Sequence, residues 1–122
     1  MSKFVKLSLI LNIFLFVGCS DNNSIFAIAE TEPVITSGDA ADDPAIVINY
    51  SNPKQSIILG TDKRAGVYSY VLSGKKISYA ALGEINNIDV RQVDNKIYVA
   101  ASNRTAKSIE FWEFNQQDFF NN

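Results

Sequence analysis

Ile88-Asp89-Val90-Arg91-Gln92-Val93-Asp94-Asn95-Lys96-Ile97-Tyr98-Val99-Ala100-Ala101-Ser102 holds two short runs rich in Ile, Val and Tyr on either side of Asp94-Asn95. Such residues favour extended backbone, and an Asp-Asn pair favours a turn. The same rhythm extends in both directions. Ala45–Tyr50, Ser56–Thr61, Gly66–Leu72 and Lys76–Leu82 precede it and Ser108–Phe114 follows, with a recurrence of about ten residues. Ser51-Asn52-Pro53, Asp62 to Gly66, Ser73-Gly74, Gly83 to Asn87 and Asn103 to Ala106 are the turn signals between them. Seven short strands without an amphipathic helix predict an all-β architecture, which is a sandwich, a barrel or part of a propeller. Periodicity does not choose among the three.

The N-terminus is of another kind. Lys3 and Lys6 precede a run from Leu7 to Val17 that is apolar except for Ser8 and Asn12, and Gly18-Cys19 follows. A charged start and an apolar core too short to span a bilayer describe a secretory signal peptide. Phe16-Val17-Gly18-Cys19 resembles a bacterial lipobox, with Phe16 in place of the usual leucine. That resemblance makes Cys19 a lipidation site and residues 1–18 a lipoprotein signal peptide. The sole cysteine has no partner for an internal disulfide. Cleavage before Cys19 leaves 104 residues with nine basic and thirteen acidic side chains, a net charge of −4. Such a balance argues against nucleic acid as a partner. Ser20 is not the aspartate that favours inner-membrane retention, so the expected address is the outer membrane of the cell envelope. Residues 19–35 read as a polar tether, residues 36–114 as the folded domain and residues 115–122 as a C-terminal tail.

Where the tether meets the first strand, Asp39, Asp42 and Asp43 stand close together in Ser37-Gly38-Asp39-Ala40-Ala41-Asp42-Asp43-Pro44-Ala45. Clustered carboxylates suit hard cations such as calcium. Gly-Asp and Asp-Pro also make ordinary polar turns ahead of a strand, and residue type alone leaves both readings open.

Four segments in order narrow the fold. Thr36-Ser37-Gly38-Asp39-Ala40-Ala41-Asp42-Asp43-Pro44-Ala45-Ile46 is followed by Leu59-Gly60-Thr61-Asp62-Lys63-Arg64-Ala65-Gly66-Val67-Tyr68. Next come Asn86-Asn87-Ile88-Asp89-Val90-Arg91 and Ala100-Ala101-Ser102-Asn103-Arg104. At these separations they resemble the N-terminal portion of β-propeller phytases, secreted calcium-dependent phosphatases that act on inositol hexakisphosphate. The resemblance covers roughly Pro33 to Phe114. It departs at Val47, where the family usually has Trp, a change of packing within an apolar position. It implies antiparallel strands forming the first one to two blades of a six-bladed β-propeller. A little under two blades reads as a truncated or interrupted product with little or no turnover of its own, since an open pair of blades leaves strand edges uncovered.

The resemblance also implies a site. Asp42 and Asp43 correspond to aspartates of the family's calcium-rich face, with Asp39 assisting. Lys63 stands twenty residues after Asp43, at the place of a phosphate-binding lysine, and Arg104 falls in the segment that carries a phosphate-binding arginine. Arg91 ranks below Arg104 because it alternates with apolar Val90 and is equally suited to pairing with an aspartate. Guanidinium matches phosphate bidentately, whereas ammonium acts as a point charge. The cofactor expected is Ca2+, and the partners are inositol phosphates, a membrane through the N-terminal lipid, and a missing C-terminal propeller portion, for which another chain is one source.

Asn86, Asn87 and Asp89 read equally as a turn, and Trp112, Tyr68, Tyr70 and Tyr79 as core packing. The chain has no histidine. That excludes histidine acid phosphatase chemistry, Ser-His-Asp catalysis and histidine zinc sites. Calcium-assisted attack by water is the enzyme reading that remains. The alternative is a non-catalytic surface lipoprotein that binds calcium or anions.

Overall fold

The computed structural model describes residues 24–121. The leader of residues 1–18, the lipidation cysteine Cys19 and residues 20–23 of the polar stretch lie outside the described residues. The strands are β1 (Ala41–Val47), β2 (Ile57–Asp62), β3 (Gly66–Val71), β4 (Lys76–Ala81), β5 (Ile85–Val93), β6 (Lys96–Asn103) and β7 (Ser108–Asn115). They form two antiparallel meanders, ordered β1-β2-β3-β4 and β5-β6-β7. One is a whole four-stranded propeller blade and the other comprises three strands of a second.

Alternation does the sorting. In β3 and β6 every second side chain is buried, which turns one face of each sheet toward the other. Val47, Leu59, Ile85, Ile88, Ile97, Val99 and Ala101 form the shared core, and Trp112 packs against it. Each fully buried aliphatic side chain contributes about 1.5–3 kcal/mol. Tyr68 and Tyr70 are buried as expected, but Tyr79 is 43% exposed. It lies on the outer strand β4, stacked on Tyr68 at 4.6 Å between ring centroids, with its hydroxyl donating to the Ala65 carbonyl.

Two strand starts differ from the sequence expectation. β1 begins at Ala41, so Asp42 and Asp43 lie within a strand and not in a turn before it. A bulge between Ala41 and Pro44 accommodates them. Pro44 is tolerated because β1 is an edge strand, where a missing N–H costs no ladder bond. β5 likewise begins at Ile85, and Asn86 and Asn87 occupy a bulge between Ile85 and Ile88. At the other end, Gln116–Asn121 forms a short helix, α1, whose Phe119 and Phe120 pack against the core.

β1 and β5 run side by side in the same direction without sharing a ladder. The Asp43 carboxylate accepts from the Ile88 N–H at 2.9 Å. Further along, Gln92 accepts from the Ile48 N–H and donates to the Ile48 carbonyl, both at 2.8 Å. Among the described residues no helix is long and apolar enough to cross a membrane.

Candidate functional site

The β2–β3 turn and the residues leading into β1 meet at one end of the first sheet. Gly66 closes that turn at φ +146°, and a Cβ there would stand 2.0 Å from the Ala80 carbonyl oxygen. Only glycine fits so close an approach. The turn places Lys63 beneath the approach to β1, and its N–H donates to the Ala40 carbonyl at 2.8 Å.

Three of the expected residues converge here. Lys63 Nζ lies 2.9 Å from Asp39 Oδ1 and 3.3 Å from Asp42 Oδ1. The lysine side chain is 22% exposed, its stem laid against the fold, whereas Asp39 is 84% exposed. Hydrogen bonding to Lys63 holds the Asp39 carboxyl below the usual carboxylate range. Asp39, and after it Asp42, raise the Lys63 ammonium in return. Arg104 joins them from the β6–β7 loop, where Nη2 donates to the Lys63 carbonyl oxygen at 3.1 Å. This is its one side-chain hydrogen bond among the described residues, so the rest of the guanidinium fork is open to an anion.

Asp43 points elsewhere. Its backbone N–H donates to Thr61 Oγ1 at 2.9 Å, and its Oδ2 is taken by Ile88. Arg91 is not brought to this end. It lies six residues along β5 from Ile85, about 20 Å at the strand rise, and is paired with Asp89 at 2.7 Å.

Two residues absent from the expected site prove central to its architecture. The buried hydroxyl of Thr61 donates to the Asn86 carbonyl at 2.7 Å while accepting from Asp43 N–H. The carboxylate of Asp62, fully buried, accepts from Thr36 Oγ1 and from the Arg64 N–H. Both stand in the quoted Leu59-Gly60-Thr61-Asp62 segment, where consecutive polar residues closing an apolar strand are the only signal.

Carboxylates are the right donors, yet calcium takes six to eight oxygens. Among the described residues no three or more acidic side chains converge as a metal-holding group. Lys63 fills the gap between Asp39 and Asp42 with a positive charge of its own. These residues therefore offer part of a cation site, in which an incoming ion would compete with the lysine.

A family model described as Phytase matches residues 7–119. A curated 3-phytase from Bacillus subtilis (strain 168) is 40% identical over 67 residues, which is 55% of this chain. The same match takes in 18% of that relative, so the chain spans less than a fifth of the length of the curated relative it matches.

Proposed function

The chain belongs to the phytase family, and on that premise we propose that it binds inositol phosphates through Lys63 and Arg104 and contributes to their hydrolysis as phosphoric monoesters. The observation that carries this reading is the convergence of an ammonium and a partly unpaired guanidinium beside two carboxylates at one end of the sheets. Inositol hexakisphosphate is densely anionic, and a site for it needs cations of both shapes: a point charge and a fork.

Calcium is the cofactor we propose, with Asp42 and Asp39 as its ligands from this chain and Asp43, whose Oδ2 is held by the Ile88 N–H, offering Oδ1 alone. When bound, it would neutralise phosphate charge and activate water. The role of Lys63 is electrostatic. Held between Asp39 and Asp42 it keeps their charges compensated, and released from them it is a donor for a phosphate oxygen. Asp43, anchored to β5, fixes the spacing of the two sheets where substrate would sit. We propose that catalysis requires further oxygen ligands beyond those described here, so the 122-residue chain alone turns over slowly or not at all. A non-catalytic binding module is the second reading, favoured by the way Lys63 already offsets one of the two negative charges of the acidic pair. For location we propose lipid attachment at Cys19 and residence at the cell envelope, which a mass shift of the N-terminal peptide lost in C19A would establish.

Phosphate release from inositol hexakisphosphate in millimolar calcium tests the first reading, alongside thermal melts with calcium and with substrate. Expected is calcium-dependent and substrate-dependent stabilisation, by mass action, with little release. K63A weakens the stabilisation by substrate and leaves or strengthens that by calcium, because the lysine competes with the ion for Asp39 and Asp42. Robust release overturns the requirement for further ligands. Melts unmoved by calcium or substrate overturn both readings.

A further inference from the structure

We propose that the buried Asp62 carboxylate and the Thr36 hydroxyl form a latch that positions Asp39 and Lys63 for phosphate binding, an inference that rests on the reading above. Asp62 ends β2 with no exposure, and no ion pair neutralises it among the described residues. A buried charge is costly unless hydrogen bonds compensate it. Thr36 Oγ1 supplies a shared donation, 2.6 Å to Oδ1 and 2.7 Å to Oδ2, and the Arg64 N–H adds a bond of 3.0 Å to Oδ1.

A turn by itself needs no such group, since asparagine or serine would close it at less desolvation cost. What the carboxylate offers is acceptors on both oxygens and no donor. It can therefore hold two donors from different segments at once. Thr36 belongs to the arm that leads into β1, and Arg64 to the turn that bears Lys63.

Among the described residues the arm forms no strand before Ala41, and its backbone tie ahead of Ile35 is the Glu32 N–H to the Gly74 carbonyl at 2.8 Å. Its order comes from separate ties: the Ile35 N–H to the Tyr68 hydroxyl at 3.1 Å, Thr36 to Asp62, Arg64 to the Ser37 carbonyl at 3.4 Å, and Lys63 N–H to Ala40. The latch grips arm and turn together. Asp39 follows Thr36 by three residues and Lys63 follows Asp62 by one, so this bond, buried on its Asp62 side, acts with the Lys63 N–H to Ala40 tie in setting the distance between their charges.

The test uses the full chain as wild type, T36V, T36S, D62N and K63A. Affinity for inositol hexakisphosphate is measured by calorimetry, and amide hydrogen exchange is followed at Lys63 and in the core at Ile97 and Val99. Expected in T36V is a loss of affinity of about tenfold or more, comparable with K63A. Exchange at Lys63 should also rise about tenfold, with the core amides unchanged. T36S, which keeps the hydroxyl, restores both. A K63A protein that loses affinity beside a T36V protein that keeps it overturns the latch and leaves the phosphate reading standing. If K63A binds like wild type, the phosphate reading falls, and Lys63 exchange decides the latch: faster exchange in T36V sustains it and unchanged exchange overturns it. Should T36V not fold, D62N is judged by the same two measurements, because its amide removes the charge and puts an N–H donor in place of one of the two oxygens that face the Thr36 hydroxyl.

Discussion

β1 and β5 start with the same irregularity and fill it with different chemistry. One extra residue is inserted between Ala41 and Pro44 in β1 and between Ile85 and Ile88 in β5. In the first bulge stand Asp42 and Asp43, in the second Asn86 and Asn87. Asp43 reaches across to the neighbouring sheet and takes the Ile88 N–H. Asn87 Oδ1 stays at home and accepts from its own neighbour, Asn86 Nδ2, at 3.0 Å. A bulge re-aims side chains, and here the residue it re-aims decides between a joint and a local cap. The side chains of the carboxylate bulge carry both the charge of the candidate site and a link between blades, whereas the amide bulge is joined to the other sheet only through its backbone, at the Asn86 carbonyl.

Removing the group the two bulges share should have the largest effect. Thr61 hydrogen-bonds to a backbone group of each, so T61V leaves two half-buried polar groups unpaired, at about 1–2 kcal/mol apiece. We expect a loss of about 2–4 kcal/mol in urea unfolding, and a loss near zero would break the idea that the bulges are coupled. The contrast between the bulges is sharpened by comparing D43A with N87A. D43A should cost about 1.5–3 kcal/mol because the lost bond is to a charged acceptor, whereas N87A should stay within about 0.5 kcal/mol. Equal losses in the two variants would erase the distinction.

The smallest effect is a pH dependence confined to the first bulge's end. The Asp39 carboxyl is lowered by Lys63, so its contribution is present above the ordinary value of about 4 and fades as pH falls through the lowered one. Lys63 is raised by Asp39 and Asp42, so its contribution is present below about 10.4 and fades as pH climbs through the raised value. The difference in melting temperature between wild type and D39N should be flat between these limits and shrink beyond both. Because the pair faces solvent it is also screened, and added salt should flatten the profile further.

Most of the strand order was legible because alternation of Ile, Val and Tyr with polar residues survives in every hairpin, and the turns at Ser73-Gly74 and Asp94-Asn95 are chemically explicit. The two bulges were not. Asp, Asn and Pro are depleted in strands, so Asp42-Asp43-Pro44 and Asn86-Asn87 read as turns until edge position and neighbouring sheet are known. α1 escaped for a related reason: six residues are too few for a helical period, and packing of Phe119 and Phe120 supplies what propensity does not. In the candidate site, Lys63, Asp39 and Asp42 were nameable through the family resemblance, but their convergence depends on the Gly66 turn. Thr61 and Asp62 work through hydrogen bonds to other segments, and no local pattern reveals a partner twenty-five or more residues away.

The Gln92 clasp on residue 48 touches only the backbone N–H and C=O of that residue. It reads the main chain and is blind to the side chain. Position 48 is thus free to drift in sequence: Ile48 is 39% exposed, and any substitute that keeps an N–H satisfies the clasp. Proline alone is barred. Where these blades meet, mutational tolerance sits on residue 48, just past the end of β1, and intolerance on Gln92, an asymmetry that would guide any redesign of the seam.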